Sequence, residues 1–411
     1  VNDERALAVV GAGEAGTAAA VALREGGWRG LIVLIGNESI LPYERPPLSK
    51  AALTETTDPG PKLLVTPERL AELQIDYREG RNVNSIDRGA RTITLSDGAQ
   101  LAYEGLVLTT GARPRTLSVP VAAESRVATL RTYADASAIR RVISRVCDVV
   151  VIGGGFIGLE AAASAVSRGA SVTVVEAGPR LLMRGVPGPM ADLISAKHVR
   201  SGVRVETNAM VEHIDATEGR SMVVLADGRK YLADLVVVGV GVVPNVELAE
   251  EAGLAVQNGI VVDEMLATSD PHIFAAGDCC VFPHRLYGER IRLEAWRNAR
   301  QQGVAAAANL LGAKRPYDDV PWFWSDQYDE TFQMAGLYRE KDIPIAKNLG
   351  AKGQFLFYLA PDGRLVSACG FGSLGAITKE IRLAEVMIGR RLAPKAEMLA
   401  NPSVNIKTLL V

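Results

Sequence analysis

Two stretches of the chain, LAVVGAGEAGTAA (7–19) and VVVIGGGFIGLE (149–160), place glycines at the same three spacings after an apolar run. In the first these are Gly11, Gly13 and Gly16; in the second, Gly153, Gly155 and Gly158. Each preceding run reads as a buried strand. The Ala-rich TAAAVALREGG and LEAAASAVSRG that follow read as helices ended by glycine. A second strand then closes each copy, LIVLI (31–35) and SVTVV (171–175). One glycine turn of this kind is weak evidence, because such turns are common. Two complete strand–turn–helix–strand units are not, and they commit the chain to α/β architecture with parallel strand neighbours.

The spacing has a chemical reason. The first glycine permits a tight turn, the second lets backbone approach a pyrophosphate, and the third allows close helix–strand packing. The helix N-terminus offers free N–H groups to the anion, and a carboxylate about 20 residues further on holds ribose hydroxyls. Glu38 and Glu176 stand in that place; Asn37 directly follows the Gly after the first unit's second strand. Both units therefore read as Rossmann-like dinucleotide-binding domains. Two sites imply two dinucleotides, one resident and redox-active and one exchanging, and FAD with NADH is the economical pair.

With 411 residues the chain is long enough for two or three domains. A formal net charge of −2 argues against a nucleic-acid partner, though not against a local basic patch for an acidic protein. VNDERALAVVGAG has acidic residues where a signal peptide would be basic, and the longest apolar run, LVVVGVGVV (235–243), stops at Pro244. A cytoplasmic protein without a membrane partner is expected. Cys147, Cys279, Cys280 and Cys369 form no CxxC pair, so no disulfide framework is expected. His198, His213, His272 and His284 show no metal-ligand spacing. They are expected to be structural or exposed, with no metal bound.

TSDPHIFAAGD (268–278) and LTTGARPR (108–115) resemble the second FAD signature and the crossover of two-dinucleotide-binding flavoprotein reductases. LPYERPPLSK (41–50), together with PWFWSDQ (321–327), GVGVVPN (239–245) and LRT (130–132), resembles the NADH-dependent ferredoxin reductases of cytochrome P450 and Rieske-type oxygenase systems. These are of the putidaredoxin reductase and biphenyl dioxygenase ferredoxin reductase type. The resemblance runs from residue 7 to about 340, and more weakly into NPSVNIKTL (401–409). It implies a glutathione-reductase-like fold with a smaller α+β C-terminal domain. The division expected is an FAD-binding domain at 1–115 and 244–326, an NAD-binding domain at 116–243 and a C-terminal domain at 327–411.

The resemblance also implies roles. Hydride transfer to flavin needs alignment and charge stabilisation rather than a general acid or base. Lys50, stiffened by Pro46–Pro47, is expected beside the flavin, with Ser49 as a helix cap. Glu160 is expected to pair with Lys50, and Trp324 to line the nicotinamide pocket. FAD is expected to contact Gly11, Gly13, Ala15, Gly16, Asn37, Glu38, Arg45, Lys50, Val83, Arg131, Gly277, Asp278 and Trp296, whose helix dipole would face the reduced ring. NAD is expected to contact Gly153, Gly155, Phe156, Ile157, Gly158, Glu160, Glu176, Arg184 and Gly241. Glu176 should favour NADH over NADPH, with Arg180 and Arg184 farther along the loop.

Disulfide reductases, CoA-disulfide reductases and NADH oxidases of related sequence carry an early redox cysteine, or a CxxC in the nicotinamide domain. This chain has neither. Electrons are therefore expected to leave the flavin for an external one-electron carrier, which the resemblance implies is a [2Fe–2S] ferredoxin, docking near Arg297 and Arg300, with the reductase a monomer. The competing readings are a stand-alone NADH oxidase-like flavoenzyme and a flavoprotein of the apoptosis-inducing-factor type. QFLFYLAPDGRLVSACGF (354–371) reads as a hairpin turned at Pro-Asp-Gly, followed by an amphipathic helix over 381–392.

Overall fold

The computed structural model describes residues 5–143 and 147–410. The chain divides into two compact units: Val1–Glu44, Pro61–Arg113 and Val243–Asp319 form the first, and Arg45–Gly60, Pro114–Val242 and Val320–Val411 the second.

In the first unit the strand Ala6–Val10 has parallel neighbours on both sides, Ile32–Ile35 and Gln100–Leu108. Ile75–Arg78 extends the sheet beyond Ile32–Ile35, and Ile273–Ala275 pairs in parallel with Gln100–Leu108. Ala6–Val10 and Ile32–Ile35 are buried throughout, which is why they read as unbroken apolar runs rather than alternating ones. The helix Glu14–Glu25 follows the central strand and lies against the helix Trp296–Leu310. Their contact is close enough that a Cβ on Gly303 would sit 2.2 Å from the Ala15 carbonyl oxygen.

The second unit repeats the plan. Its parallel sheet runs Arg204–Glu206, Ser171–Val175, Asp148–Ile152, Leu235–Val238, Val127–Thr129, and the helix Phe156–Ser167 leaves the central strand. A three-stranded antiparallel ribbon, Val211–Thr217, Arg220–Leu225 and Lys230–Ala233, belongs to the same unit. So does a five-stranded antiparallel sheet in the order Trp322–Gln327, Glu330–Gly336, Leu365–Gly372, Gly353–Leu359, Ile343–Asn348. The hairpin at Pro361-Asp362-Gly363 joins two of these strands, with Leu359 opposite Leu365.

The C-terminal helix runs Leu374–Gly389, beginning seven residues before the expected start and ending three before the expected stop. Gly375 is tolerated because its missing side chain faces open space, and the left-handed Arg391 (φ +56°) lies just past the helix end. Ile377, Ile381, Ala384 and Ile388 give it one buried stripe.

Arg45–Gly60 is stitched to the second unit by chain-distant contacts. Ser164 Oγ donates to the Ser49 carbonyl at 2.6 Å, Arg168 to the Leu53 carbonyl at 3.1 Å, and Arg140 pairs with Asp58 at 2.7 Å. All four cysteines are buried. Among the described residues no helix is long and apolar enough to cross a membrane.

Candidate active site

The first glycine turn shows which residues the protein's own packing demands. Gly11 has φ +106°, and a Cβ there would lie 2.2 Å from the Thr109 carbonyl oxygen. A Cβ on Gly16 would lie 1.8 Å from the Gly11 carbonyl oxygen. Around Gly13, by contrast, nothing stands within 4 Å of the missing Cβ. Gly13 is also the N-cap of Glu14–Glu25, and no side chain caps that end. Open space before uncapped N–H groups fits a pyrophosphate, so the turn suits the dinucleotide that its spacing implies.

Around this turn, Glu38 accepts a hydrogen bond from Tyr43 Oη at 2.6 Å, and Asn37 is exposed. The Gly277 N–H donates to Gln302 Oε1 at 2.8 Å, and a Cβ on Gly277 would come within 3.1 Å of the Ala15 methyl. Asp278 follows, half-buried, its carbonyl accepting from Arg292 at 3.2 Å. Trp296 opens a helix whose N-cap, Ala295, again provides no side-chain cap. Val83 is half-buried in its strand. Glu14 has its carboxylate pKa pushed up to about 7 by burial, against the pull of the Arg300 guanidinium 3.6 Å away. Arg300 itself is well exposed and lies over the Trp296 ring.

The second turn has the same geometry. Gly153 has φ +104°, with Cβ space blocked by the Gly239 carbonyl oxygen at 2.5 Å; at Gly158 the Gly153 carbonyl oxygen blocks at 2.2 Å. Gly155 has no neighbour closer than 3.8 Å and starts the uncapped helix Phe156–Ser167. Glu176 lies against this turn. Its Oε2 accepts from Gly154 N–H and its Oε1 from Gly178 N–H, both at 2.7 Å. Arg180 donates to the carbonyls of Leu181, Leu182 and Val186 at 3.0 Å, so its guanidinium closes the loop on itself. Arg184 and Gly241 are exposed, as is Ile157. Phe156 packs into aromatic rings, 4.4 Å from Phe323 and 5.6 Å from Phe332 between centroids.

Lys50 and Glu160 are 110 residues apart in sequence and paired at 2.7 Å. Glu160 is buried on the second glycine helix, and three donors converge on its carboxylate. Oε2 takes Lys50 Nζ and the Ser49 hydroxyl, and Oε1 takes the Ser325 hydroxyl at 2.6 Å. Ser49 was expected to cap a helix; instead Lys50 occupies that N-cap position, and the Ser49 hydroxyl is drawn to the buried carboxylate. Arg45 donates to the Arg131 carbonyl at 2.7 Å. Trp324 stacks on Trp322 with centroids 5.2 Å apart, its Nε1–H on Asp326 at 3.1 Å.

Sequence reasoning missed four polar groups that the fold brings to this pair. Ser49 and Ser325 touch Glu160 directly, and behind Ser325 stand Gln327 and His198. PWFWSDQ stands out as a motif, but of its residues only Trp324 was given a role. His198 offered no signal, because a lone histidine on a helix has no spacing to read.

The chain is also similar to proteins of known family and structure. Residues 5–303 match the family described as pyridine nucleotide-disulphide oxidoreductase, and residues 322–410 the one described as reductase C-terminal. The chain is 42% identical to the anthranilate 1,2-dioxygenase system ferredoxin–NAD(+) reductase component of Burkholderia cepacia, covering 98% of each. Among solved structures, the ferredoxin reductase for the CYP199A2 system from Rhodopseudomonas palustris superposes with a TM-score of 0.93 at 38% identity, covering 99% of this chain and 100% of that one. The reductase of the covalent putidaredoxin reductase–putidaredoxin complex superposes with a TM-score of 0.92 at 36% identity, covering 100% and 99%.

Proposed function

Because the chain belongs to the pyridine nucleotide-disulphide oxidoreductase family, we propose that it is an FAD-dependent NADH:ferredoxin oxidoreductase serving a cytochrome P450 or Rieske-type oxygenase. The supporting observation is the pair of glycine turns in which only the middle glycine, Gly13 or Gly155, is unobstructed by the protein itself. FAD, when bound, supplies the hydride acceptor for NADH and the carrier that releases single electrons to a [2Fe–2S] ferredoxin.

Gly11, Gly13, Ala15 and Gly16 would hold the FAD pyrophosphate, with Glu38 and Asn37 toward its ribose. Val83, Arg45, Arg131, Gly277, Asp278 and Trp296 complete that set. Gly153, Gly155, Phe156, Ile157 and Gly158 would cradle NADH, with Arg184 and Gly241 at its edge. Glu176 would accept the ribose 2′-hydroxyl and repel a 2′-phosphate. Lys50 supplies a fixed positive charge held in place by Glu160, which favours a cofactor gaining negative charge. Trp324 would flank the nicotinamide. This reading divides the chain into FAD-binding (1–115, 244–326), NAD-binding (116–243) and C-terminal (327–411) domains, in a cytoplasmic monomer.

The ferredoxin would dock near Arg297 and Arg300, whose charge suits an acidic partner. Charge reversal at both is expected to slow ferredoxin reduction about tenfold. Stopped-flow mixing with NADH tests the whole proposal. Rapid flavin bleaching is expected, followed by cytochrome c reduction only when a [2Fe–2S] ferredoxin is present. Fast oxygen consumption without ferredoxin would favour the oxidase alternative.

A further inference from the structure

The Lys50–Glu160 pair is the near end of a longer buried chain of hydrogen bonds. Ser325 Oγ, 2.6 Å from Glu160 Oε1, lies 3.0 Å from Gln327 Nε2. Gln327 Oε1 lies 2.6 Å from His198 Nε2, and His198 Nδ1 lies 3.0 Å from the Tyr328 hydroxyl. Glu160, Ser325, Gln327 and His198 are each 4% exposed or less. They come from a glycine helix, an edge strand and the helix Gly188–Arg200, so no local motif accounts for the alignment.

The donor directions along this chain follow from its charged end. A carboxylate only accepts, so Ser325 must donate its proton to Glu160. The Ser325 oxygen is then left to accept from the Gln327 amide nitrogen. That turns the Gln327 carbonyl toward His198, which must answer with Nε2–H. Nδ1 is then a bare acceptor for the Tyr328 hydroxyl. The opposite imidazole tautomer would flip the Gln327 amide, draw the Ser325 proton to the Gln327 carbonyl, and leave Glu160 Oε1 without its donor.

We infer that His198 is a positioning residue, acting through Gln327 and Ser325 to hold Glu160 against Lys50. This rests on the reductase reading for its catalytic consequence, though not for the hydrogen-bond chain itself. A second, independent feature points the same way. Tyr328 sits in a two-residue hairpin turn between Gln327 and Glu330 with φ +58°. That conformation is ordinarily left to Asn or Gly, and an aromatic residue held there is strained. The strained turn places the Tyr328 hydroxyl on His198 Nδ1, with the two rings edge to face at 5.1 Å. Burial holds the imidazole pKa below its ordinary value, against the opposing effect of the Gln327 hydrogen bond. Lys197 on the same helix pairs with both Asp329 and Glu330 on the hairpin, one cation against two carboxylates.

Two measurements decide the matter. Long-range ¹⁵N NMR on the imidazoles, with His198 assigned by its loss in His198→Phe, should show a neutral Nε2–H ring from pH 6 to 8. An Nδ1–H tautomer or an imidazolium at pH 7 overturns the inference. Stopped-flow bleaching by NADH should slow about tenfold in His198→Phe and in Ser325→Ala. The double variant should be no slower than the slower single one, because both act on Glu160 by one route. His198→Gln, whose amide nitrogen can donate in place of Nε2, should recover to within about twofold of the parent. Multiplicative losses, or full speed in His198→Phe, overturn the positioning role. If NADH fails to bleach the parent protein, the reductase reading falls, while the NMR tautomer still decides the chain.

Discussion

Glu160 Oε2 lies 2.7 Å from Lys50 Nζ, and the two partners are not equally exposed: the lysine side chain retains 26% of its surface and the glutamate 5%. The asymmetry fixes what their removal does. Lys50→Met leaves a buried carboxylate with only two serine hydroxyls, whereas Glu160→Gln leaves an ammonium that water still reaches. Urea unfolding is expected to show Lys50→Met losing about 2–4 kcal/mol and Glu160→Gln about 1–2 kcal/mol. Equal losses would contradict this ordering.

The glycines separate folding from binding. Gly16→Ala and Gly158→Ala drive a methyl into backbone carbonyl oxygens at 1.8 and 2.2 Å and are expected to give insoluble protein. Gly155→Ala meets nothing closer than 3.8 Å, so the variant should fold and stay yellow. Its NADH dissociation constant, read by flavin-reduction titration, should rise at least tenfold, about 1.4 kcal/mol. Unchanged affinity would remove the second turn as the NADH cradle.

On the proposed reading, nucleotide choice turns on Glu176. Its carboxylate is anchored by two backbone N–H groups, and Arg180 is held by three loop carbonyls rather than reaching outward. The parent is expected to prefer NADH over NADPH at least tenfold in kcat/KM. Glu176→Gln should narrow the preference while raising the KM for NADH about tenfold, since a repelling charge and a turn anchor go together. Comparable efficiency with both nucleotides in the parent would count against the assignment.

Glu14 introduces a pH dependence. Burial raises its pKa from the ordinary 4.5 to about 7, so ionising it opposes folding. The stabilisation of its neutral form is complete below pH 4.5 and is lost as pH climbs through 7. Glu14→Gln stays neutral throughout. Unfolding of the two proteins should coincide near pH 4, diverge as pH rises from 4.5 to 7 and keep a constant gap above that, the variant being more stable by about 1–3 kcal/mol at pH 8. A gap that widens toward acid would show the sign to be wrong.

Both dinucleotide turns, their strands and their helices were legible in the amino-acid order, because each is written within about 30 consecutive residues. A glycine at φ above +100°, or the Gly11 and Gly153 carbonyl oxygens packed where the Cβ of Gly16 and Gly158 would stand, is a local steric fact, and it leaves a local mark. The Pro-Asp-Gly hairpin was readable for the same reason. The C-terminal helix was read seven residues short at its start, because Gly375 in an exposed first turn looks like a loop until its surroundings are seen.

The polar groups around Glu160 left no such mark. Ser49, Glu160, His198, Ser325 and Gln327 lie up to 278 residues apart, on elements with no common period. What selects Ser325 over any other serine, or Gly188–Arg200's His198 over the other three histidines, is which side chains end up sealed from water beside a buried charge. A buried carboxylate must find donors, and only the packed tertiary structure determines which ones are within reach.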